Sequence, residues 1–256
     1  MYQLGSNQAV NCLADKKILI TGAASGIGRA TALACAQQGA TLILLDKQNK
    51  PLNSIYDEIE ALGNNTSILV LDDLLTLDLA RAENLAQQVI QELGHLNGLF
   101  HFAAHNAPLS PMEHVSEESW QKVIQVNLNA ARILTTAFLP AMNAAKSACV
   151  TFCSGSAARN GKAYWGPTGT IWGAVDSLAD IFNQESAKNR NIRFFSIDPG
   201  AVNTPMRNRL YPAESPAKSA AADKVADAWV YLLQTDESID TVRLQISGDW
   251  LKPFER

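Results

Sequence analysis

Short apolar runs alternate along the chain with longer segments in which apolar residues recur every three or four positions. The first run, Lys17 to Thr21, is compact enough for a buried strand, and residues 26–38 after it repeat apolar side chains at helical spacing. The same criterion predicts strands at 17–21, 41–45, 67–71, 98–102, 148–153, 192–197 and 241–246. It predicts helices at 26–38, 52–62, 79–93, 116–145, 168–188 and 220–233.

Seven predicted strands alternating with six helices indicate repeated strand–helix units. Such units form an α/β sheet whose strands are mostly parallel and whose two faces are covered by helices. We therefore predict one doubly wound domain over residues 1–256, with a seven-stranded sheet and an N-terminal tail at 1–14. Ligands bind such sheets beyond the carboxyl ends of the strands. Residues 203–219 follow the sixth strand at that edge and contain three prolines, so they are a candidate lid.

Composition narrows the class of protein. Apolar residues occupy 47% of the 256 positions and charged residues 18%, which is enough to bury a sizeable core. The formal net charge of −4 argues against a general nucleic-acid-binding protein, which would present a basic face. No apolar run approaches the about twenty residues of a membrane helix, so we expect a cytoplasmic protein that binds no membrane. The four cysteines lack metal-binding spacing, and we expect reduced thiols and no metal site.

The turn between the first predicted strand and the first predicted helix is rich in glycine. Residues 21–28 read TGAASGIG. Gly22 permits a tight turn, Gly26 lets the backbone approach a pyrophosphate, and Gly28 lets the helix pack closely on the sheet. The helix N-terminus then offers unpaired N–H groups and a partial positive charge to the phosphates. The loop predicts dinucleotide binding, and the alternative is a tight turn that binds nothing.

Acidic residues end the next two predicted strands. A carboxylate at the position of Asp46 can hydrogen-bond the ribose hydroxyls of NAD and repel the 2′-phosphate of NADP. Arg29 and Lys47 lie close to it and would favour NADP, but Asp46 occupies the strand end. We therefore predict NAD(H) in preference to NADP(H). Asp73 ends the third strand, where it is placed to meet an adenine edge; Asp72 beside it is the less favoured alternative.

The spacing of the glycines resembles the TGxxxGIG signature of the short-chain dehydrogenase/reductase family rather than the usual GxGxxG. The resemblance extends over about residues 13–250, and its further motifs are Asp73-Leu74, Asn127, and Asp198-Pro199-Gly200 with Thr204. The chain is similar to a bacterial subgroup of poorly characterised short-chain oxidoreductases that shares its His-x-Ala and Thr-x-Met-Arg stretches. The resemblance implies a single Rossmann-type NAD(P)-binding domain. The cofactor contacts that we expect are Gly22, Ser25, Gly26, Ile27, Gly28, Asp46, Asp73, Leu74, Ala103, Pro199, Gly200 and Thr204.

Members of that family reduce a carbonyl or oxidise an alcohol by hydride transfer with a nicotinamide. A tyrosine transfers the accompanying proton, and a lysine four residues later lowers the pKa of that tyrosine. A serine about thirteen residues earlier orients the substrate oxygen, and an asparagine in the long helix holds a water. The resemblance also implies a homodimer or homotetramer that pairs through the fourth and fifth long helices.

The sequence departs from the family at these catalytic positions. None of its five tyrosines is followed by lysine four residues later. Alignment on residues 159–166 places Thr168 at the tyrosine position, Trp172 at the lysine position and Gly155 at the serine position. Gly155 is flanked by Ser154 and Ser156, so a shift of the alignment by one residue would restore the serine, but no shift restores the tyrosine and the lysine. Asn127 is retained. Threonine is far less acidic than a phenol, and an indole is only a hydrogen-bond donor.

Three functions fit this pattern. The first is an NAD(H)-binding homologue without the usual catalytic pair, which serves as a cofactor-binding or regulatory protein. The second is an active NAD(P)-dependent oxidoreductase on a small carbonyl or alcohol, with a relocated acid at Tyr164, His101 or His105. The third is a structural scaffold or partner subunit that binds no cofactor, its pocket being filled by Trp172.

Overall fold

The computed structural model of the protein describes residues 1–4, 11–63, 67–186, 191–234, 239 and 241–254. Within these ranges one sheet holds nine strands in the order β1-β9-β8-β7-β6-β5-β2-β3-β4. The strands are β1 (Tyr2–Gln3), β2 (Lys17–Thr21), β3 (Thr41–Asp46), β4 (Ser67–Leu71), β5 (Gly98–His101), β6 (Ala148–Cys153), β7 (Ile192–Asp198), β8 (Arg243–Ser247) and β9 (Trp250–Pro253). All pairs from β4 to β8 are parallel, whereas β9 is antiparallel to both β8 and β1.

The predicted number of seven strands is therefore wrong, although the doubly wound α/β class is confirmed. All seven predicted strands are present, and their bounds agree within two residues. The two additional strands, β1 and β9, extend the sheet beyond β8. They have two and four residues, too few for a periodic pattern to be visible in the sequence.

The helices in the described ranges are α1 (Gly26–Gln37), α2 (Asn49–Glu60), α3 (Leu79–Leu93), α4 (Glu117–Ile124), α5 (Ala130–Asn143), α6 (Ser156–Asn160), α7 (Gly166–Ser186), α8 (Pro205–Leu210) and α9 (Ala222–Gln234). The single helix predicted at 116–145 is α4 and α5 joined by a π-helical segment, Gln125–Asn129. The short helices α6 and α8 were not predicted. Residues 187 and 188, the end of the helix predicted at 168–188, lie outside the described residues.

Two apolar layers cover the sheet. Leu19 of β2 faces a core shared with α3, α5 and α7, whereas its neighbours Ile18 and Ile20 face a second core shared with α1, α2 and α9. This alternation follows from the two-residue period of a strand. Because both faces are buried, the strands read as continuous apolar runs.

Strand order reverses between β3 and β5, the two parallel neighbours of β2. In open α/β sheets the crevice at such a reversal is the usual ligand site. The glycine-rich turn follows β2 directly and therefore opens onto this crevice.

All four cysteines are free thiols. Burial raises the pKa of Cys149 to about 11 and that of Cys153 to about 12, which keeps both protonated near neutral pH. No helix in the described part of the chain is long and apolar enough to span a bilayer.

Candidate functional site

A cavity of about 920 Å³ opens at the carboxyl ends of the parallel strands, near the upper limit for ligand pockets. All twelve residues expected to contact the cofactor line this cavity: Gly22, Ser25, Gly26, Ile27, Gly28, Asp46, Asp73, Leu74, Ala103, Pro199, Gly200 and Thr204. The candidate lid, residues 203–219, contributes α8 and Tyr211 to the wall. The structure therefore places all twelve of these residues around one cavity.

The glycine-rich turn has the geometry for which it was singled out. Gly22 and Gly26 have φ angles of +68° and +56°, a region that favours glycine. A Cβ on Gly22 would lie 2.6 Å from the backbone nitrogen of Ala103, and one on Gly28 would collide with the Gly22 carbonyl. The turn therefore packs backbone against backbone, which brings α1 close to the sheet.

The start of α1 suits a phosphate group. Ser25 precedes the helix, but its side chain makes no capping hydrogen bond to the first turn. Residues 26–28 of that turn line the cavity, and the first turn of a helix carries unpaired N–H groups and the positive end of the helix dipole. A Cβ on Gly26 would lie 3.2 Å from the Thr204 methyl carbon, so a side chain there would narrow the space between the turn and Thr204.

Asp46 lies at the end of β3, 7% exposed. Its Oδ2 accepts a hydrogen bond from the backbone N–H of Ala24 at 3.1 Å, and its Oδ1 accepts one from Gln48 at 3.0 Å. The carboxylate thus braces the glycine-rich turn while also lining the cavity. Of the nearby cations, Arg29 bonds Glu58 on the surface and Lys47 lies 3.8 Å from a carboxylate oxygen of Asp73.

Asp73 and Leu74 form the adjoining wall. The Oδ1 of Asp73 accepts a hydrogen bond from the backbone of Leu75 at 3.0 Å and caps a short 3₁₀ turn. Leu74 is buried beneath it, and its carbonyl accepts a hydrogen bond from Gln125 of the π-helical segment. The acidic residue is thereby fixed at the cavity edge with its second oxygen free for Lys47 or a ligand.

The positions that align with the family's serine, tyrosine and lysine are occupied by closely packed residues. The ring of Trp172 lies directly over Gly155: a Cβ on that glycine would be 2.7 Å from Trp172 Cε3 and closer still to Cζ3. Both residues line the cavity. Thr168 is 3% exposed and does not line it; its hydroxyl donates a hydrogen bond of 3.5 Å to Asn106 Oδ1.

Asn127, the retained member of the four, lies in the π-helical segment. Its side chain donates to the carbonyl of His105 at 3.0 Å and accepts from the N–H of His105 at 2.7 Å. These two hydrogen bonds connect the loop after β5 to the π-helical segment between α4 and α5. π-Helical turns of this kind are frequent at functional sites.

The three candidate replacement acids differ in position. His101 is buried, stacks on Phe152 and hydrogen-bonds Thr135 at 3.0 Å; burial lowers its pKa to about 3, so it is neutral near pH 7. His105 lines the cavity, and burial with three nearby cations lowers its pKa. Tyr164 precedes α7, is 60% exposed and does not line the cavity. The geometry therefore gives no support to Tyr164 or His101 as the acid.

The segment Asp198-Pro199-Gly200 forms the floor between β7 and the lid. Asp198 accepts a hydrogen bond from the N–H of Gly200 at 2.9 Å and lies 3.7 Å from Arg159, which also pairs with Asp176 of α7 at 3.1 Å. Burial raises the pKa of Asp198, and Arg159 opposes that shift. This buried ion cluster joins α6, α7 and β7 below the cavity.

Residues that sequence reasoning did not single out complete the wall: Lys162, Trp165, Arg207, Arg209 and Tyr211. They come from the loop before α7 and from the candidate lid. Proline content marked the lid as a loop beside the site, but no periodic signal marked its side chains. In the described residues, no group of three or more His, Cys, Asp or Glu side chains is arranged to hold a metal ion.

The fold and the glycine-rich turn define a Rossmann-type dinucleotide-binding protein. A family model described as short chain dehydrogenase matches residues 16–215. The chain belongs to the short-chain dehydrogenase family, whose members are oxidoreductases that bind a nicotinamide dinucleotide.

Individual relatives agree with this assignment. The chain is 32% identical to the uncharacterized oxidoreductase YciK of Escherichia coli K12 over 225 residues, which is 88% of each protein. Its structure resembles that of a chain from Pseudomonas syringae assigned to the short chain dehydrogenases, with a TM-score of 0.90, 32% identity, and coverage of 96% and 98% of the two chains. A Shigella flexneri short chain dehydrogenase complexed with NADP has a TM-score of 0.86 and 30% identity, with coverage of 93% and 98%.

Proposed function

We propose that the protein binds NAD(H) in the cavity at the carboxyl edge of its sheet. The support is the combination of three glycines, Gly22, Gly26 and Gly28, at which a side chain would meet close contacts, an uncapped first turn of α1 and the carboxylate of Asp46. A buried carboxylate at the ribose would disfavour a 2′-phosphate by like-charge repulsion. The Shigella relative carries NADP, which does not favour NAD, so both cofactors belong in the test.

We further propose that the protein does not use the family's tyrosine–lysine pair and acts as a non-catalytic cofactor-binding or regulatory homologue. When bound, the nicotinamide supplies a hydride, but a proton must move with it. The observation that carries the proposal is the seating of the Trp172 ring on Gly155. This apolar contact occupies the positions at which the family has a lysine ammonium and a serine hydroxyl. Thr168, at the tyrosine position, does not line the cavity.

A second function is favoured by one observation. His105 lines the cavity and is held by Asn127, so an oxidoreductase with a relocated acid would place its proton donor there. The lowered pKa of His105 weakens this alternative, because a neutral imidazole is a poor acid near pH 7. The third possibility is a scaffold that binds no cofactor. A measurement of cofactor binding distinguishes it from the other two.

Calorimetric titration of the purified protein with NADH and with NADPH tests the proposal. We expect NADH to bind in the micromolar range and more tightly than NADPH. No binding of either at millimolar concentration would leave the scaffold as the function. If NADH binds, its oxidation is followed at 340 nm against a panel of aldehydes and ketones, where we expect no turnover. Turnover abolished by His105→Gln would establish the relocated acid instead.

Assembly and location are also proposals. The family resemblance supports a homodimer or homotetramer through α4, α5 and α7, and Ile181 of α7 is 54% exposed, as a subunit contact would be in a separated chain. Light scattering after gel filtration measures the mass directly. A monomer that persists at high micromolar concentration would contradict this proposal. We propose a cytoplasmic location, which imaging of a fluorescent fusion would test.

A further inference from the structure

Three aromatic rings meet at the lid end of the cavity. The ring centroids of Trp165 and Trp172 are 5.2 Å apart, and those of Trp165 and Tyr211 are 6.3 Å apart. The indole N–H of Trp165 donates a hydrogen bond to the Tyr211 hydroxyl at 3.2 Å. All three side chains line the cavity, so they present a wall of π surface beside the region expected to hold the nicotinamide.

A cation lies at the edge of this wall. The ammonium of Lys162 is 5.8 Å from the ring centroid of Trp165 and 5.9 Å from that of Tyr211. Lys162 makes no ion pair with any residue that the structure describes, and it lines the cavity. Arg207 also approaches the Tyr211 ring, but both its Nε and its Nη2 bond the carboxylate of Glu214, at 2.5 and 2.8 Å. Lys162 is therefore available to a ligand, whereas the charge of Arg207 is already matched.

Two hydroxyl groups at the same end have a proton with no acceptor among the described residues. Tyr211 accepts from Trp165, but its own proton has no acceptor among the residues described. Ser154 lies at the base of the wall, next to Gly155, and lines the cavity at 3% exposure. Its Oγ makes no hydrogen bond within the described structure. A buried hydroxyl without a partner is costly, and a ligand oxygen would satisfy it.

The carboxylates of the cavity lie elsewhere. Asp46 ends β3, and Asp72 and Asp73 follow β4, at the opposite end of the crevice. Asp198 is paired with Arg159. The lid end thus combines flat apolar surface, two hydroxyl donors and two cations, Lys162 and Arg209, that make no ion pair within the described residues. The nearby carboxylate of Glu214 is bonded by Arg207. Aromatic rings favour offset or tilted stacking at the separations seen here.

We propose that the lid end of the cavity binds a planar aromatic carboxylate, with its ring against Trp165 and Trp172 and its carboxylate at Lys162 and Tyr211. This inference rests on the proposed function in that the ligand occupies the space beside the cofactor and is held there without being reduced. The inference adds a class of ligand to the proposed function. Trp172, at the position aligned with the family's lysine, would form part of the site for that ligand.

Calorimetry with 2-naphthoate as the probe tests the inference, with 2-naphthamide as the neutral ligand of the same shape. We expect the carboxylate to bind at least about tenfold more tightly than the amide, as a charge-assisted contact implies. Lys162→Gln should remove that preference and leave amide affinity unchanged. Lys224→Gln, which changes an exposed lysine on α9 outside the cavity, should alter neither. Trp165→Leu should weaken both probes.

Other results would overturn the inference. Equal affinity for the two probes, no binding of 2-naphthoate at millimolar concentration, or a Lys162→Gln variant with the wild-type preference would each do so. Lys162 would contact the cofactor phosphates instead if 2-naphthoate competed with NADH and Lys162→Gln lowered the affinity for both by the same factor.

The same titrations separate this inference from the proposed function. Binding of 2-naphthoate by a protein that binds no NADH would retain the ligand site and reject the cofactor proposal. Binding of NADH without 2-naphthoate would do the reverse.

Discussion

The carboxylate of Asp46 accepts a hydrogen bond of 3.1 Å from the backbone N–H of Ala24. Asp46 ends β3, whereas Ala24 lies in the glycine-rich turn after β2, so one side chain links the two loops that would clasp the adenosine half of a dinucleotide. A residue singled out for ribose recognition therefore also supports the shape of the phosphate loop.

Asp46→Asn separates these two roles. The amide retains the size of the side chain but leaves one backbone N–H without an acceptor, so we expect a loss of about 1–3 kcal/mol in the free energy of unfolding. It also removes the charge that repels a 2′-phosphate, so the affinity for NADH should fall and the preference for NADH over NADPH should shrink by about tenfold. Calorimetry and urea denaturation measure the two effects. Asp57→Asn, at an exposed position of α2, is the matched control. If the variant were less stable but kept the same preference for NADH over NADPH, Asp46 would support the turn without selecting the cofactor.

Gly155→Ser is expected to be destabilising because its Cβ would lie within the contact distance of the Trp172 ring. Overpacking of this kind costs about 1–3 kcal/mol. A Cβ on Gly173, which lies within α7, meets nothing within 4 Å, so Gly173→Ser should be neutral or slightly stabilising, since serine is the better helix former. Thermal unfolding compares the two. In the background of Trp172→Ala the cost of Gly155→Ser should disappear; an unchanged cost would show that another contact is responsible.

Restoring the family's catalytic residues together tests what the cavity lacks. We expect the combination Gly155→Ser, Thr168→Tyr and Trp172→Lys to reduce carbonyl compounds with NADH at a rate about 10²–10⁴ times that of the wild type, the typical contribution of a positioned acid. The same triple variant with phenylalanine at position 168 is the control for the phenol. Turnover by the wild type at the rate of the restored variant would mean that its own acid is intact. A restored variant that binds NADH yet stays inert would place the loss beyond these three positions.

Stability should fall as the pH is lowered, in part through His101. Its folded-state pKa is about 3, below the about 6.5 of an unfolded chain, so the unfolded state binds more protons between these values. The stability present above about pH 6.5 is therefore lost on acidification, by about 2 kcal/mol between pH 7 and pH 5 from this residue. Urea denaturation at both pH values measures the difference. His101→Gln should reduce it, and His114→Gln, on an exposed side chain, should not; equal pH dependence in all three proteins would contradict the assignment.

The parts of this protein that the sequence predicts are those with a local physical cause. Gly22 and Gly28 stand out because a left-handed φ and a backbone contact require them, and their spacing already defines the turn. The long buried strands are visible because both faces are covered. Asp46 was located by its place at a strand end, although its hydrogen bond to Ala24 depends on how two loops meet.

The parts that escaped prediction depend on tertiary contacts. The strands β1 and β9 are stabilised by pairing with one another and with β8. The π-helical segment around Asn127 is a local change of hydrogen-bond register inside a helix of ordinary apolar spacing. Lys162 and Tyr211 lie 49 positions apart in irregular segments, and only the folded chain brings them to the same indole ring.

The contact between Trp172 and Gly155 also constrains how this sequence can change over evolutionary time. A serine at position 155 is accepted only after the tryptophan has gone, and lysine at 172 supplies a cation while position 168 still lacks a phenol. No single substitution therefore both preserves this packing and introduces the family's serine, tyrosine and lysine. Each of the two residues limits which substitutions the other tolerates, so some paths from this sequence to the family's pattern pass through less stable sequences.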